Sequence, residues 1–420
     1  MAAGAVVFLG SFLLFVLELI AGKLTLPSFG GGAQVWTACM VFFQAALLAG
    51  YLYARVSTSL LRPRAQAALQ LALLAAAAAA CLPLRLEAVG PGGPLLRLLS
   101  ALTTSIGLPF LAISSTVPVV QSWLESRRAV RSDHYVLYAA SNTGALLGLL
   151  SYPFVLEPFL TVSAQLRVWT ALYVLYAGLH LLVLPSGGSA HPEAAGAAPE
   201  GRAGPQGDSD GAVRPLTWVL LATGPSAALL AATRFLSDTL AAVPLLWVIP
   251  LAVYLGTFIL AFKAEPFRLS GRALGLLAAA FAPLLAVLWA AGSPALAGVL
   301  LNVGALFLLA MICHGSLAAS RPRLSGSAPT FYLCVSAGGL AGGLIMGVLV
   351  PFLGRGIGWL GLEWLVAGGL CLASLVVRDQ DRWSRFRAFK PGAAVLLAGL
   401  AAAGWLASRP GAGSPSVRNF

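Results

Sequence analysis

Ionisable side chains inside long apolar runs are the residues of this sequence best placed to do chemistry, because a charge in hydrocarbon is costly and persists where it serves a function. Glu18 stands in FVLELIAGK, with Lys23 five residues on. At 3.6 residues per turn these side chains point roughly 140° apart, so they are not a same-face pair. Glu18 is therefore a candidate for contact with a solute, a proton or a neighbouring helix. Arg234 and Asp238, four apart, either pair on one helix face or leave Asp238 to cap a following helix through Ser237-Asp238-Thr239. His314, in MICHGSLA, carries an imidazole suited to proton relay or to a local hydrogen bond. Asn142 is a neutral candidate for the same pathway, for which an inter-helix hydrogen bond is a sufficient role. Ser114, Ser115, Thr116, Pro118 and Gln121 mark either a kink or the lining of a cavity.

Other chemistries find little support. Cys39, Cys81, Cys313, Cys334 and Cys371 lie in apolar runs without a CxxC pair, and only Cys313 has a histidine beside it. They are expected to pack as small hydrophobes. Gly30-Gly31-Gly32 lacks the following Lys-Ser/Thr of a phosphate loop. No His, Asp, Glu, Cys or Ser cluster suggests catalysis, so no enzyme activity, metal or cofactor is expected.

The elements that must position these residues are membrane helices. Apolar residues make up 59% of the 420 and charged residues 10%, against roughly 25% charged in soluble domains. The net charge of +12 comes from short basic clusters between apolar runs. That is a topology signal rather than a nucleic-acid face. A bilayer core of ~30 Å requires about 20 apolar residues per helix. Runs of that length fall at 4–24, 34–56, 65–86, 95–120, 134–156 and 164–184, then at 215–235, 240–262, 272–291, 295–318, 329–353 and 359–377. The expected fold is an all-α integral membrane protein of 12 spanning helices, or 13 if 392–407 also crosses. The N-terminal stretch lacks the basic region of a secretory signal and is expected to be retained as the first helix. With a cytoplasmic N-terminus, most of the 26 Lys and Arg residues face inward, including Arg127, Arg128, Arg131, Arg321, Arg323 and the cluster from Arg378 to Lys390.

A polar stretch rich in Gly, Ala, Pro and Ser divides the chain. The expected units are a six-helix bundle over 1–185, a flexible cytoplasmic linker over 186–214, a second six-helix bundle over 215–378, and a basic segment with a tail over 379–420. An internal repeat supports the two halves. An offset of 198 sets Gly144 on Gly342, Pro153 on Pro351 and Phe154 on Phe352. This predicts a major-facilitator-like arrangement of six plus six helices. Gly144 with Gly148, and Gly339, Gly343 and Gly347, recur every four residues and predict close helix packing.

The ordered segments FVLELIAGKLTLPSFGGGAQVW, SSTVPVVQSWL, YAASNTGALLGLLSYPFVLEP, LSDTLAAVPLLWVIPLAVYLGTFILAF and CHGSLAASRP together resemble the membrane portion of the fused major-facilitator/spermidine-synthase-like proteins. The resemblance implies a helical membrane domain joined to a soluble aminopropyltransferase-like domain. The sequence after Arg378 departs from that pattern, with no Rossmann-like block, so aminopropyl transfer is not expected of this sequence. Relatives often carry Gln where Glu18 stands.

Two functional readings follow. One is a secondary transporter of a small solute in a cell (inner) membrane. The other is a non-transporting scaffold for a separately encoded aminopropyltransferase-like enzyme, bound through the basic inner loops. Expected partners are thus the lipid bilayer, a small solute and a protein at those loops, without nucleic acid. A polar cavity between the halves would favour transport, and a solid bundle would exclude it.

Overall fold

A computed structural model describes residues 2–85, 93–126, 133–185, 210–239, 247–262, 294–320, 328–353 and 359–378. The predicted spans 272–291 and 392–407, linker residues 186–209 and most of the basic inner loops lie outside the described residues. Among the described residues every regular element is helical. Lipid offers no partners for backbone polar groups, and a helix satisfies them within itself.

The first half contains α1 (Ala2–Phe29), α2 (Ala33–Leu60), α3 (Pro63–Cys81), α4 (Pro94–Leu102), α5 (Leu108–Ser114), α6 (Thr116–Ser126), α7 (Asp133–Ser151), α8 (Glu157–Phe159) and α9 (Val162–Leu179). The second contains α10 (Asp210–Thr239), α11 (Val248–Ala261), α12 (Pro294–Ser320), α13 (Ala328–Leu344), α14 (Val350–Leu353) and α15 (Trp359–Arg378). Seven described helices are long and apolar enough to cross a membrane, and Val248–Ala261 and Glu363–Leu375 are shorter apolar helices. The protein is a polytopic, all-α membrane protein. Phe154, Phe159 and Phe352 stand mostly exposed on its outer surface, as lipid-facing side chains would.

Three predicted spans each carry a π-turn. These turns cover Thr103–Gly107, Tyr152–Leu156 and Ile345–Leu349, each close to a proline (Pro109, Pro153 and Pro351). A proline has no N–H to give the carbonyl four residues back, and the helix widens locally to accommodate its ring. In the first of these regions, the Thr103 and Thr104 hydroxyls donate to the carbonyls of Leu99 and Ser100. The second half begins earlier than its hydropathy predicts, with α10 starting at Asp210 and carrying Pro215 inside it.

Close helix packing follows the glycines. A Cβ on Gly144 would overlap the Phe8 carbonyl oxygen, and one on Gly148 would lie 2.7 Å from that of Phe12. These two glycines let α7 lie directly on α1. In the second half, a Cβ on Gly338 would overlap the Val219 carbonyl oxygen, and one on Gly342 would sit 2.5 Å from that of Thr223. That seats α13 on α10 in the same manner. Gly343 and Gly347 face α2 instead, against Gln44, Val41 and Thr37. Among the described residues, the most extensive contacts between the halves are α2 with α13 and α7 with α11, and α2 also meets α10. Gly339 departs from the packing expected of it, because a Cβ there would meet open space.

Amide and indole groups tie the first half together. Trp123 donates to Gln66 at 2.6 Å and Trp169 to the Leu13 carbonyl at 2.9 Å. Tyr173 donates to the Leu74 carbonyl at 3.2 Å. Deep in a bilayer such groups find no water, so each bond also removes the cost of an unpartnered polar atom.

Candidate functional site

Helical periodicity directs one face of each central helix toward a common space. On α1 this face carries Gly10, Ser11, Leu14, Phe15 and Glu18, and on α2 it carries Met40, Phe43, Gln44, Leu47 and Tyr51. Spacings of three and four residues place these groups in single stripes. From the second half come Trp247, Leu251, Tyr254 and Phe258 around α11, with Tyr332, Val335, Ser336 and Gly339 on α13. The stripes enclose a cavity of about 300 Å³ between the two halves, at the small end of the roughly 300–1,000 Å³ usual for small-molecule sites.

Glu18 lines this cavity, half-buried, and is the only charged residue doing so among the described residues. It has no ion-pair or hydrogen-bond partner among them. Lys23, its sequence neighbour, instead pairs with Glu157 across helices. Glu157, which by sequence reads as a residue at a helix end, thus holds the α1 cation away from Glu18.

Three lining residues, Gln44, Trp247 and Ser336, each have a buried polar atom (Oε1, Nε1 and Oγ) without a partner among the described residues. The opposite end of Gln44 is held, its Nε2 donating to Ser226 Oγ at 2.9 Å. Ser226 Oγ in turn donates to the Gly339 carbonyl at 2.8 Å. The wall is thus mostly apolar, with the Glu18 carboxylate as its one charged group among the described residues. None of Gln44, Trp247 and Ser336 stands out in the sequence, since an amide, an indole and a hydroxyl are ordinary in membrane helices.

The other predicted residues divide. Asn142 lines the cavity. So do Ser114, Thr116 and Gln121, beside a break in the helix at Ser115, which makes that segment both a kink and a wall. His314 does not line the cavity. It is fully buried behind Tyr254 and Phe258, whose rings lie 4.9 and 4.7 Å from it. Its Nδ1 is 3.0 Å from Thr257 Oγ1, a local hydrogen bond.

Arg234 and Asp238 form a separate site. Of the two readings open for Asp238, capping does not hold, because Asp238 lies within the last turn of α10, which runs to Thr239. Its carboxylate is instead 3.6 Å from Arg234 Nε, one turn back. The stronger partner is Glu363 of α15, whose Oε1 accepts from Arg234 at 2.9 Å while only 3% exposed. Glu363 is the residue a reading of the sequence misses, although a lone carboxylate in WLGLEWLV is the same signal as Glu18.

All five cysteines are unpaired. Among the described residues no group of three or more His, Cys, Asp or Glu side chains could hold a metal ion. No family model matches the chain, and no curated protein matches it.

Proposed function

We propose that this protein is a secondary transporter of major-facilitator architecture, moving a small solute by alternating access between two six-helix halves over 1–185 and 215–378. The observation that carries the reading is the central cavity, walled by both halves and holding the unpartnered carboxylate of Glu18. A scaffold has no use for an internal space that holds a carboxylate, and such a space costs packing contacts on every side.

Paired contacts support twofold internal symmetry. Gly144 and Gly342 are 198 residues apart, and the carbonyls they meet, Phe8 and Thr223, are 215 apart. The same two offsets relate the Ser11–Ser141 hydroxyl pair, at 2.9 Å, to the Ser226–Gly339 bond at 2.8 Å. The two most extensive inter-half contacts also exchange under this symmetry: the second helix meets the eleventh, and the fifth meets the eighth. Interfaces of this kind let one half rock against the other around a fixed site. The charge bias favours a cytoplasmic N-terminus in a cell (inner) membrane. The architecture is also what the resemblance to the membrane portion of the fused spermidine-synthase-like family implies, with a non-enzymatic role for this sequence.

The test requires no knowledge of the solute. In a cysteine-free background, Ser336→Cys places a thiol on the cavity wall. A membrane-impermeant methanethiosulfonate reagent applied to either side of sealed proteoliposomes should modify it from both faces. Modification from one face only, or from neither, overturns alternating access.

A further inference from the structure

We infer that the cavity recognises a small organic monocation with an apolar body, bound by Glu18 and an aromatic wall. This deepens the transporter reading and rests on it. The charge count comes first. Among the described residues the cavity presents one carboxylate and no cation. Lys23 of α1 is committed to Glu157 and Arg234 of α10 to Glu363 and Asp238, while Arg55 of α2 is exposed and does not line the cavity. An anion would meet Glu18 with nothing to offset the repulsion. A zwitterion would leave its own carboxylate unpaired in an apolar space. A polycation would find one countercharge for several charges.

The wall then selects among monocations. Phe15, Tyr51, Trp247, Tyr254, Phe258 and Tyr332 approach from four sides of the cavity. Aromatic faces attract ammonium groups through the ring quadrupole, more strongly where water is excluded. A bare metal cation needs several oxygen ligands, and a wall this rich in rings does not supply them. An organic cation takes its stabilisation from the rings and its charge balance from Glu18. At about 300 Å³ the space suits a compact ligand with one ring or a few short alkyl groups.

The experiment uses tritiated benzyltrimethylammonium, whose charge is permanent, on the purified full chain in lipid nanodiscs. Two competitors of similar shape complete it: neopentylbenzene, the uncharged carbon analogue, and phenylacetate, an anion. Saturable cation binding is expected, weakened at least tenfold in Glu18→Gln and severalfold in Tyr254→Leu, with little displacement by either competitor. No saturable binding to the wild-type chain overturns the proposal, and so does displacement by phenylacetate as effective as by unlabelled cation. Should Glu18→Gln fail to fold, the wild-type competition and Tyr254→Leu still decide. Cation binding without flux in proteoliposomes, together with one-sided Ser336→Cys labelling, upholds the ligand class and removes the transporter reading. Two-sided labelling without cation binding does the reverse.

Discussion

Arg234→Met is the substitution whose cost the structure defines best. Arg234 is 25% exposed and donates at 2.9 Å to Glu363, which is only 3% exposed and whose second oxygen already lacks a partner. Removing the guanidinium strands a buried carboxylate. Breaking a buried pair from one side costs about 3–5 kcal/mol. Partial exposure of the arginine lets some water follow, which lowers the expected cost to about 2–3 kcal/mol. Glu363→Leu differs in kind. It removes the stranded charge itself, and Arg234 keeps Asp238 at 3.6 Å, so its cost should stay near 1 kcal/mol. The double variant Arg234→Met/Glu363→Leu should resemble Glu363→Leu, which makes the coupling energy about 2 kcal/mol. Reversible unfolding in mixed detergent micelles, followed by tryptophan fluorescence, measures all four corners of the cycle. Strictly additive effects, or an Arg234→Met cost below about 1 kcal/mol, would refute the reasoning.

Three further outcomes follow from the packing. Gly144→Ala forces a methyl into the Phe8 carbonyl and should cost about 1–3 kcal/mol, whereas Gly178→Ala, with nothing within 4 Å, should be neutral or slightly stabilising in the same unfolding assay. Lys23→Gln breaks a pair whose side chains are 29% and 26% exposed, so its effect should stay within about 1 kcal/mol; a larger loss would mean the pair is dry. Gln66→Leu leaves the indole N–H of buried Trp123 without its 2.6 Å acceptor and should cost about 1–3 kcal/mol, with a shift in tryptophan emission reporting the site directly.

Much of the architecture is readable from hydropathy. The apolar runs at 4–24 and 34–56 become Ala2–Phe29 and Ala33–Leu60, longer because helices continue past the hydrocarbon into the interface. Gly144 and Gly148 could be marked as packing residues from spacing alone, since small side chains four apart on a membrane helix have few other uses. The same reasoning misplaces Gly339. Its stripe turns between α2 and the cavity, and only the neighbouring helices reveal which glycine faces open space. For Asp238 the sequence leaves capping and pairing with Arg234 both open, and only α10 running on to Thr239 decides for the pair.

By itself, then, the sequence determined what the solvent imposes: helices, their approximate ends and their small-residue faces. Each follows from a one-dimensional match between chain and bilayer. Only the tertiary structure decided which polar groups meet. Lys23 finds Glu157 across 134 residues and Arg234 finds Glu363 across 129, leaving Glu18 alone on the cavity wall. The physical reason is that lipid and protein interiors are equally apolar, so hydropathy carries no record of which helices lie side by side. That lateral arrangement turns one carboxylate into half of an ion pair and leaves another facing an open space.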